Sequence, residues 1–467
     1  MYDLKFQCMK KGVLLTVIVC SIALCAYLTR PAADPIPIPT ATQRTGGDSA
    51  KGYEYLVSGD YIRSGLPYGL FLSGFGADNH NYLGRTGMNA KIPHSFTAIK
   101  AANNEVVVAP NCLQCHAQVF DGVLIVGLGN SGADFTKNKT FNPKNIQLTE
   151  KMLKLLSPKS YAAAAAFLQT TKAVTPHLYA PIQGVNVANK LAGVLAAHRD
   201  PLTLKWSDTA SFTIPDGMVP TDTPPWWNLR KKNAMFYSAL GQGDFGRMLM
   251  ASNLLTVADS SEARQVDGHM PDVLAYIYSL QPPKYPKTID QTLATKGMAL
   301  FETKCSGCHG KYGQGESYPN LLIPGSIIKT DSLLFSVNYT QPQLVDWFNR
   351  SWFAGGSHPA RLVPMRGYIA PPLDGIWITA PYLHNGSVPT LEALLNSKTR
   401  PTYWSRSFEK PQYDYENVGW VYTVEKEGGS TSVYDTKQAG YGNGGHYFGD
   451  ALSDGERKAV IEYLKTL

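Results

Sequence analysis

"NCLQCH", residues 111–116, is the stretch that decides the fold class. Two cysteines spaced by two residues and followed at once by histidine serve as half of a zinc site, a thiol redox pair or a haem attachment point. The chain has seven cysteines. Cys8, Cys20 and Cys25 lie in an apolar leader, and the other four are Cys112 and Cys115 here and Cys305 and Cys308 in "CSGCH", residues 305–309. A four-thiolate zinc site leaves the histidine after each pair without a task, and a thioredoxin-like pair does not need it either. Haem attachment uses every residue: both thiols add to the vinyl groups of one haem, and the next imidazole becomes the proximal iron ligand. Two copies imply two covalently bound c-type haems, with Cys112, Cys115 and His116 at the first and Cys305, Cys308 and His309 at the second.

Bulk properties agree with an ordinary globular protein of two or three domains. The formal charge is +7; the first thirty residues, with Lys5, Lys10, Lys11 and Arg30 against Asp3, account for +3 and leave +4. That remainder is small and scattered, which argues against nucleic acid as a partner. The leader has a basic start and an apolar run from Gly12 to Leu28, the pattern of a secretory signal peptide or a short N-terminal membrane anchor. Either reading puts the rest of the chain in the periplasm or another extracytoplasmic space, where bacteria attach haem to this motif. The Pro- and Thr-rich stretch at 31–48 reads as a solvated linker.

The second half opens with "TLATKGMALFETKCSGCHG", in which Ala294, Met298, Leu300 and Phe301 supply an apolar helical face leading to the cysteines. It resembles the entry helix of a class I cytochrome c. The chain ends with "LSDGERKAVIEYLKTL", a helix opened by a Ser453–Glu456 capping box, with Val460, Tyr463, Leu464 and Leu467 on one face. "MPDVLAYIYSLQPP" repeats those offsets with Val273, Tyr276, Ile277 and Leu280. Tyr276 and Tyr463 are 187 residues apart and Cys112 and Cys305 are 193 apart, the mark of a tandem duplication. The expected architecture is therefore mainly α: two tandem class I cytochrome c-like domains with long loop-rich insertions. Residues 1–30 are the leader, 31–48 the linker, 49–285 the first haem domain and 286–467 the second.

The segment "YIAPPLDGIWITAPYLHNGSVPTLEALL", residues 368–395, resembles the "F-x-x-P-x-L-R-N-x-x-x-T-x-P-Y-x-H-x-G" signature of bacterial di-haem cytochrome c peroxidases and of the di-haem enzyme that matures methylamine dehydrogenase. "PPWWNLRKKNA" at 224–234 and the tail "GNGGHYFGDALSDGERKAVIEYLKTL" look closer to the di-haem rubber oxygenases. Just before the signature's first aromatic, the peroxidases commonly carry a methionine that caps the second haem; here Gly367 stands there. The rubber oxygenases use a histidine near the C-terminus instead, which points to His446 as distal ligand, with Met365 second and His384 third.

Two haems with different ligation divide labour, one moving electrons and one reacting at an open face. With the second capped, the first is the reactive one, and His94, His177, His198 and His269 are candidates to cap it at rest. Gln242, Asp244, Arg247 and Glu262 are candidate acid/base groups. Trp226, Trp227, Phe236, Tyr237 and Phe245 are candidate walls of an apolar pocket, with plain core as the alternative. The resemblance implies that Trp227 relays electrons between the haems, and Arg230, Lys231 and Lys232 are candidate propionate partners. The expected function is a periplasmic di-haem oxidoreductase, a peroxidase or oxygenase using peroxide or dioxygen at the first haem. Its expected partners are an apolar organic substrate and a small cytochrome or cupredoxin. The alternative is a non-catalytic di-haem electron-transfer cytochrome.

Overall fold

The structure is a computed structural model describing residues 34–136 and 143–467; the leader with Cys8, Cys20 and Cys25 lies outside the described residues. The elements that position the candidate site are, in chain order, β1 (Ile36–Pro37), α1 (Ser49–Ser58), α2 (Pro143–Leu156), α3 (Pro158–Val174), β2 (Gly241–Gly243), α4 (Met270–Ser279), α5 (Gln291–Lys304), β3 (Leu321–Pro324), β4 (Ala360–Leu362), β5 (Gly367–Ile369) and α6 (Asp454–Leu464).

α5 begins where the Asp290 side chain accepts from the Leu293 amide and ends directly before Cys305. Its buried ridge is Ala294, Gly297 and Phe301, while Met298 stays exposed. The ridge runs through Gly297 because α6 crosses there in backbone contact: a β-carbon on Gly297 would lie 1.8 Å from the Ala459 carbonyl oxygen. α6 starts at the Ser453–Glu456 capping box and buries Val460, Tyr463 and Leu464. α1 and α4 cross in the same manner, Gly52 lying against the Asp272 carbonyl. The entry helix of the first half, however, ends 54 residues before Cys112.

The mainly α architecture of two tandem cytochrome c-like domains is corrected by the structure, which is 39% helix and 13% strand, with several small sheets. Residues Ile36–Leu467 fall into a single compact unit. The physical reason lies in the 31–48 stretch and in the long stretches between each haem motif and its closing helix, which make short strands and loops that pair across the halves. β1 pairs with β3 through Ile36 and Leu322, and β2 with β4 through Gly241 and Leu362. The cores are shared too. Trp347, Phe348 and Phe353 pack into the cluster around α1 and α4, and Phe120, Leu128 and Trp227 into the one around α5 and α6.

The stretch read as a solvated linker is also packed. Ile38 is buried, and the Arg44 guanidinium makes a two-point pair with Asp244 at 2.8 and 2.9 Å and a further pair with Asp267. Prolines with φ fixed near the extended region suit an edge strand as well as a linker, and composition does not separate the two.

Candidate functional site

Each Cys-x-x-Cys-His segment forms one helical turn. The His116 amide donates to the Cys112 carbonyl at 3.1 Å, and the His309 amide to the Cys305 carbonyl at 3.0 Å. None of the four cysteines is in a disulfide. Burial pushes the Cys112 and Cys305 thiols up to about 11. Among the described residues, no group of three or more His, Cys, Asp or Glu side chains is placed to hold a metal ion, so the two pairs do not converge on a four-thiolate site.

Cys305, Cys308 and His309 open onto a cavity of about 240 Å³, walled by Leu300, Phe301, Ile323, Ile369, Leu391 and Leu452. The His309 Nδ1 lies 2.9 Å from the Pro371 carbonyl oxygen. A carbonyl only accepts, so Nδ1 carries the proton and Nε2 keeps the lone pair. His446 lines the same cavity, its ring centre 6.2 Å from that of His309. Two imidazoles on opposite faces of one metal, each bonded at about 2.0–2.1 Å, hold their ring centres about 6.3 Å apart. Burial first, then the charges of His309 and Arg400, push the His446 imidazole down to about 3, so it is neutral and able to ligate.

The loop carrying His446 is built to hold it. Gly445 has φ +82°, and a β-carbon there would collide with the Thr330 amide. His446 itself sits in the left-handed region, its amide donating to Ile328. Arg400 donates to the carbonyls of Asn443, Gly445 and His446. This clamp carries no motif and was missed from sequence. His446 Nδ1 is buried without a hydrogen-bond partner among the described residues.

The other ligand candidates stand elsewhere. Gly367 pairs across to Pro324 on β3, and a β-carbon would lie 2.2 Å from the Ile323 oxygen, so the peroxidase methionine has no room. Met365 packs with Ile38 and Leu322 and lies 3.5 Å from the Gln242 amide nitrogen. His384 faces the cavity, but its Nε2 lies 3.0 Å from the Tyr368 hydroxyl, which donates to the Asp331 carbonyl. The hydroxyl has one proton, so His384 donates from Nε2.

The Ala370–Asp374 loop that presents the Pro371 carbonyl is pinned from several sides. Tyr318 donates to Ala370, Asn228 to Pro372 and the Trp227 indole to Asp374. Lys231 binds the Asp374 carboxylate at 2.7 Å. Trp227, Asn228 and Lys231 all come from "WWNLRK" in the first half, so that motif orients the loop behind His309. Lys231 is thereby committed to a carboxylate. The Arg230 guanidinium lies 3.5 Å from the Gln281 side chain. Lys232 lines the cavity, where burial pushes its ammonium down to about 8.

At the first motif the His116 ring stacks on Trp226, centres 4.4 Å apart. His116 Nδ1 and Trp226 Nε1 are both buried and lack hydrogen-bond partners among the described residues. Burial pushes His116 down to about 3. The neighbouring indoles thus divide between centres: Trp226 packs with the first core, Trp227 with the second. Three of the four candidate resting caps meet other aromatic rings. His198 stacks on Trp206, His269 on Tyr55, and His94 meets Tyr82 edge-on; His177 is half-buried. Asp244, Arg247, Arg44 and Asp267 form an ion network, and Glu262 accepts from the Ala258 amide. Gln242 donates to Ala239 from β2. The five aromatics read as one pocket separate: Phe245 is core, Phe236 is exposed, and Tyr237 lines the cavity at His309.

Asp222 lies in the cavity wall, accepting from the Tyr237 hydroxyl at 3.0 Å. Burial outweighs that bond and pushes its carboxyl up to about 7. The folded state then binds more protons than the unfolded one between about pH 4 and 7, so this group's contribution to stability is full below that window and lost as pH rises through it. Asp222→Asn is expected to flatten that decline, as read by denaturant unfolding across the window.

Comparison with known proteins finds that residues 367–405 match the RoxA-like, cytochrome c-like family model. Two curated relatives come from Sinorhizobium fredii, each described as an uncharacterized protein. y4iM is 28% identical over 294 residues, 54% of this chain and 66% of the relative. y4iJ is 32% identical over 272 residues, 44% of each. The chain thus spans less than two thirds of the length of these relatives. The matched stretch includes Gly367, Pro371 and His384. It supports a rubber-oxygenase-like cytochrome c relationship, implies a c-type haem and suggests a haem-based redox function.

Proposed function

We propose that the protein is an extracytoplasmic di-haem c-type oxidoreductase that uses peroxide or dioxygen at the first haem and passes electrons through the second. The 6.2 Å spacing of the His309 and His446 rings carries the reading, because two imidazoles that held one metal ion between them would stand about that far apart. Cys112, Cys115 and His116 would hold one haem, and Cys305, Cys308, His309 and His446 the other. When bound, the haems supply one-electron chemistry and, at an open iron, reaction with oxygen or peroxide.

The residues around them do the rest. Pro371 fixes the His309 tautomer, and the apolar wall excludes water. Lys232 offers a charge to a propionate, where an ion pair away from bulk water is strengthened. Trp226, stacked on His116, and Trp227, bonded to the loop behind His309, are neighbours in the chain and would be the aromatic groups that connect the two centres.

Mass spectrometry with a cyanide titration tests this. The denatured chain is expected to keep haem staining and to carry the mass of two haems. Cyanide should perturb one haem's worth of absorbance, and His116→Ala should abolish that response while the second haem persists. A single haem refutes the di-haem reading, and two haems that both refuse cyanide, oxygen and peroxide leave a plain electron carrier.

A further inference from the structure

The strongest exposed apolar feature lies away from the cavity, on α2. This helix is anchored by its inner face, where Ile146 and Leu153 pack with Ala164 and Leu168 of α3. Its outer face is also apolar: Leu148, Met152, Leu155 and Leu156 are 58, 50, 81 and 72% exposed. At about 100° per residue these four side chains fall within a sector of about 100°, a continuous ridge along the last two and a half turns. Lys144 and Lys151 flank one edge of the ridge, exposed and paired with no carboxylate among the described residues. The lysines nearer the inner side, Lys154 and Lys172, are paired with Glu150, and Lys159 with Glu105, so five lysines face two acids here.

Exposed apolar ridges of this size cost solubility and mark interaction sites. The composition selects among occupants. Protein interfaces concentrate energy in Trp, Tyr and Arg anchors seated in pockets, and this ridge is Leu and Met with no such anchor. Leucines on one face bordered by lysines is the pattern of a helix lying in the plane of a bilayer interface, where lysines meet anionic headgroups.

We propose that the outer face of α2 docks flat on an anionic lipid surface, with Leu148, Met152, Leu155 and Leu156 entering the acyl boundary and Lys144 and Lys151 meeting the headgroups. The contact is independent of the leader and of both haem motifs, and it would present the protein to a bilayer in one orientation.

Radiolytic hydroxyl-radical footprinting of the full, haem-loaded chain reads this locally, whatever else binds the vesicle. Oxidation at Met152 is expected to fall several-fold with mixed phosphatidylcholine–phosphatidylglycerol vesicles and to change little with phosphatidylcholine alone. Leu155→Asp with Leu156→Asp should abolish the protection, and Lys144→Glu with Lys151→Glu should weaken it and its salt sensitivity. Unprotected Met152 on anionic vesicles, or equal protection by the zwitterionic ones, overturns the proposal. Protection that grows with protein concentration in the absence of lipid would overturn it in favour of a second copy of the chain.

Discussion

Exchanging His446 for alanine is expected to convert one haem from low-spin to high-spin, completely and without loss of covalent haem. The imidazole is neutral, lines the cavity and is spaced from His309 as an axial partner. On the proposed assignment, removing it would leave the second iron with one strong ligand unless another group moves in. The structure limits the replacements. Met365 packs in a separate cluster, Gly367 has no side chain, and His384 is bonded to Tyr368 through Nε2. Electron paramagnetic resonance of the oxidised protein should lose one low-spin signal, and cyanide should now reach two haems instead of one. Arg400→Ala should produce a partial version of the same change, because it releases the carbonyls that hold the His446 loop while leaving the imidazole present. A spectrum of His446→Ala identical to that of the parent would remove His446 as a ligand and reopen the choice among the other candidates.

What the sequence made legible follows the range of each interaction. The capping box at Ser453, the buried positions of α6 and the turn of each haem motif depend on residues a few positions apart, and periodicity reads them. Met298 was assigned to the buried face of α5 and is exposed instead, because Gly297 admits the backbone of α6 and sets the ridge; that is a tertiary contact with no local pattern. Arg44 and Ile38 were placed in a linker for a similar reason, since their partners, Asp244 and the strand Leu321–Pro324, lie about 200 to 280 residues away. The expectation of two mainly α domains failed where the insertions pair across halves, a relation that repeat spacing does not encode. At the site, residue type pointed to the cysteines and histidines. It was silent on Pro371, which acts through its carbonyl, and on Arg400, which acts through three others.

Replacing Cys305 and Cys308 together by serine is expected to have a larger structural effect than removing either His309 or His446. The thiols are the covalent hold on the group we assign to the cavity, which lies between α5, α6 and the Ala370–Asp374 loop. At about 24 cal/mol per Å³ of cavity left behind, leaving a cavity of about 240 Å³ empty would cost about 6 kcal/mol. That is comparable to the whole stability of a typical domain, about 5–15 kcal/mol. Its apolar walls cannot simply take up water, and Leu300, Phe301, Leu452 and Val460 share the cluster with Trp227 and Phe120 from the first half. The loss should therefore spread past residue 290 into the first half. The double variant is expected to carry the mass of one haem fewer, to exchange amide hydrogens rapidly along α5 and α6, and to unfold at markedly lower denaturant. His446→Ala, which keeps the thioether bonds, should lose far less stability. The difference between the two variants separates ligation from packing. If the serine variant kept native protection in α5 and α6, the cavity would not be part of the core and its assignment to a haem would fail.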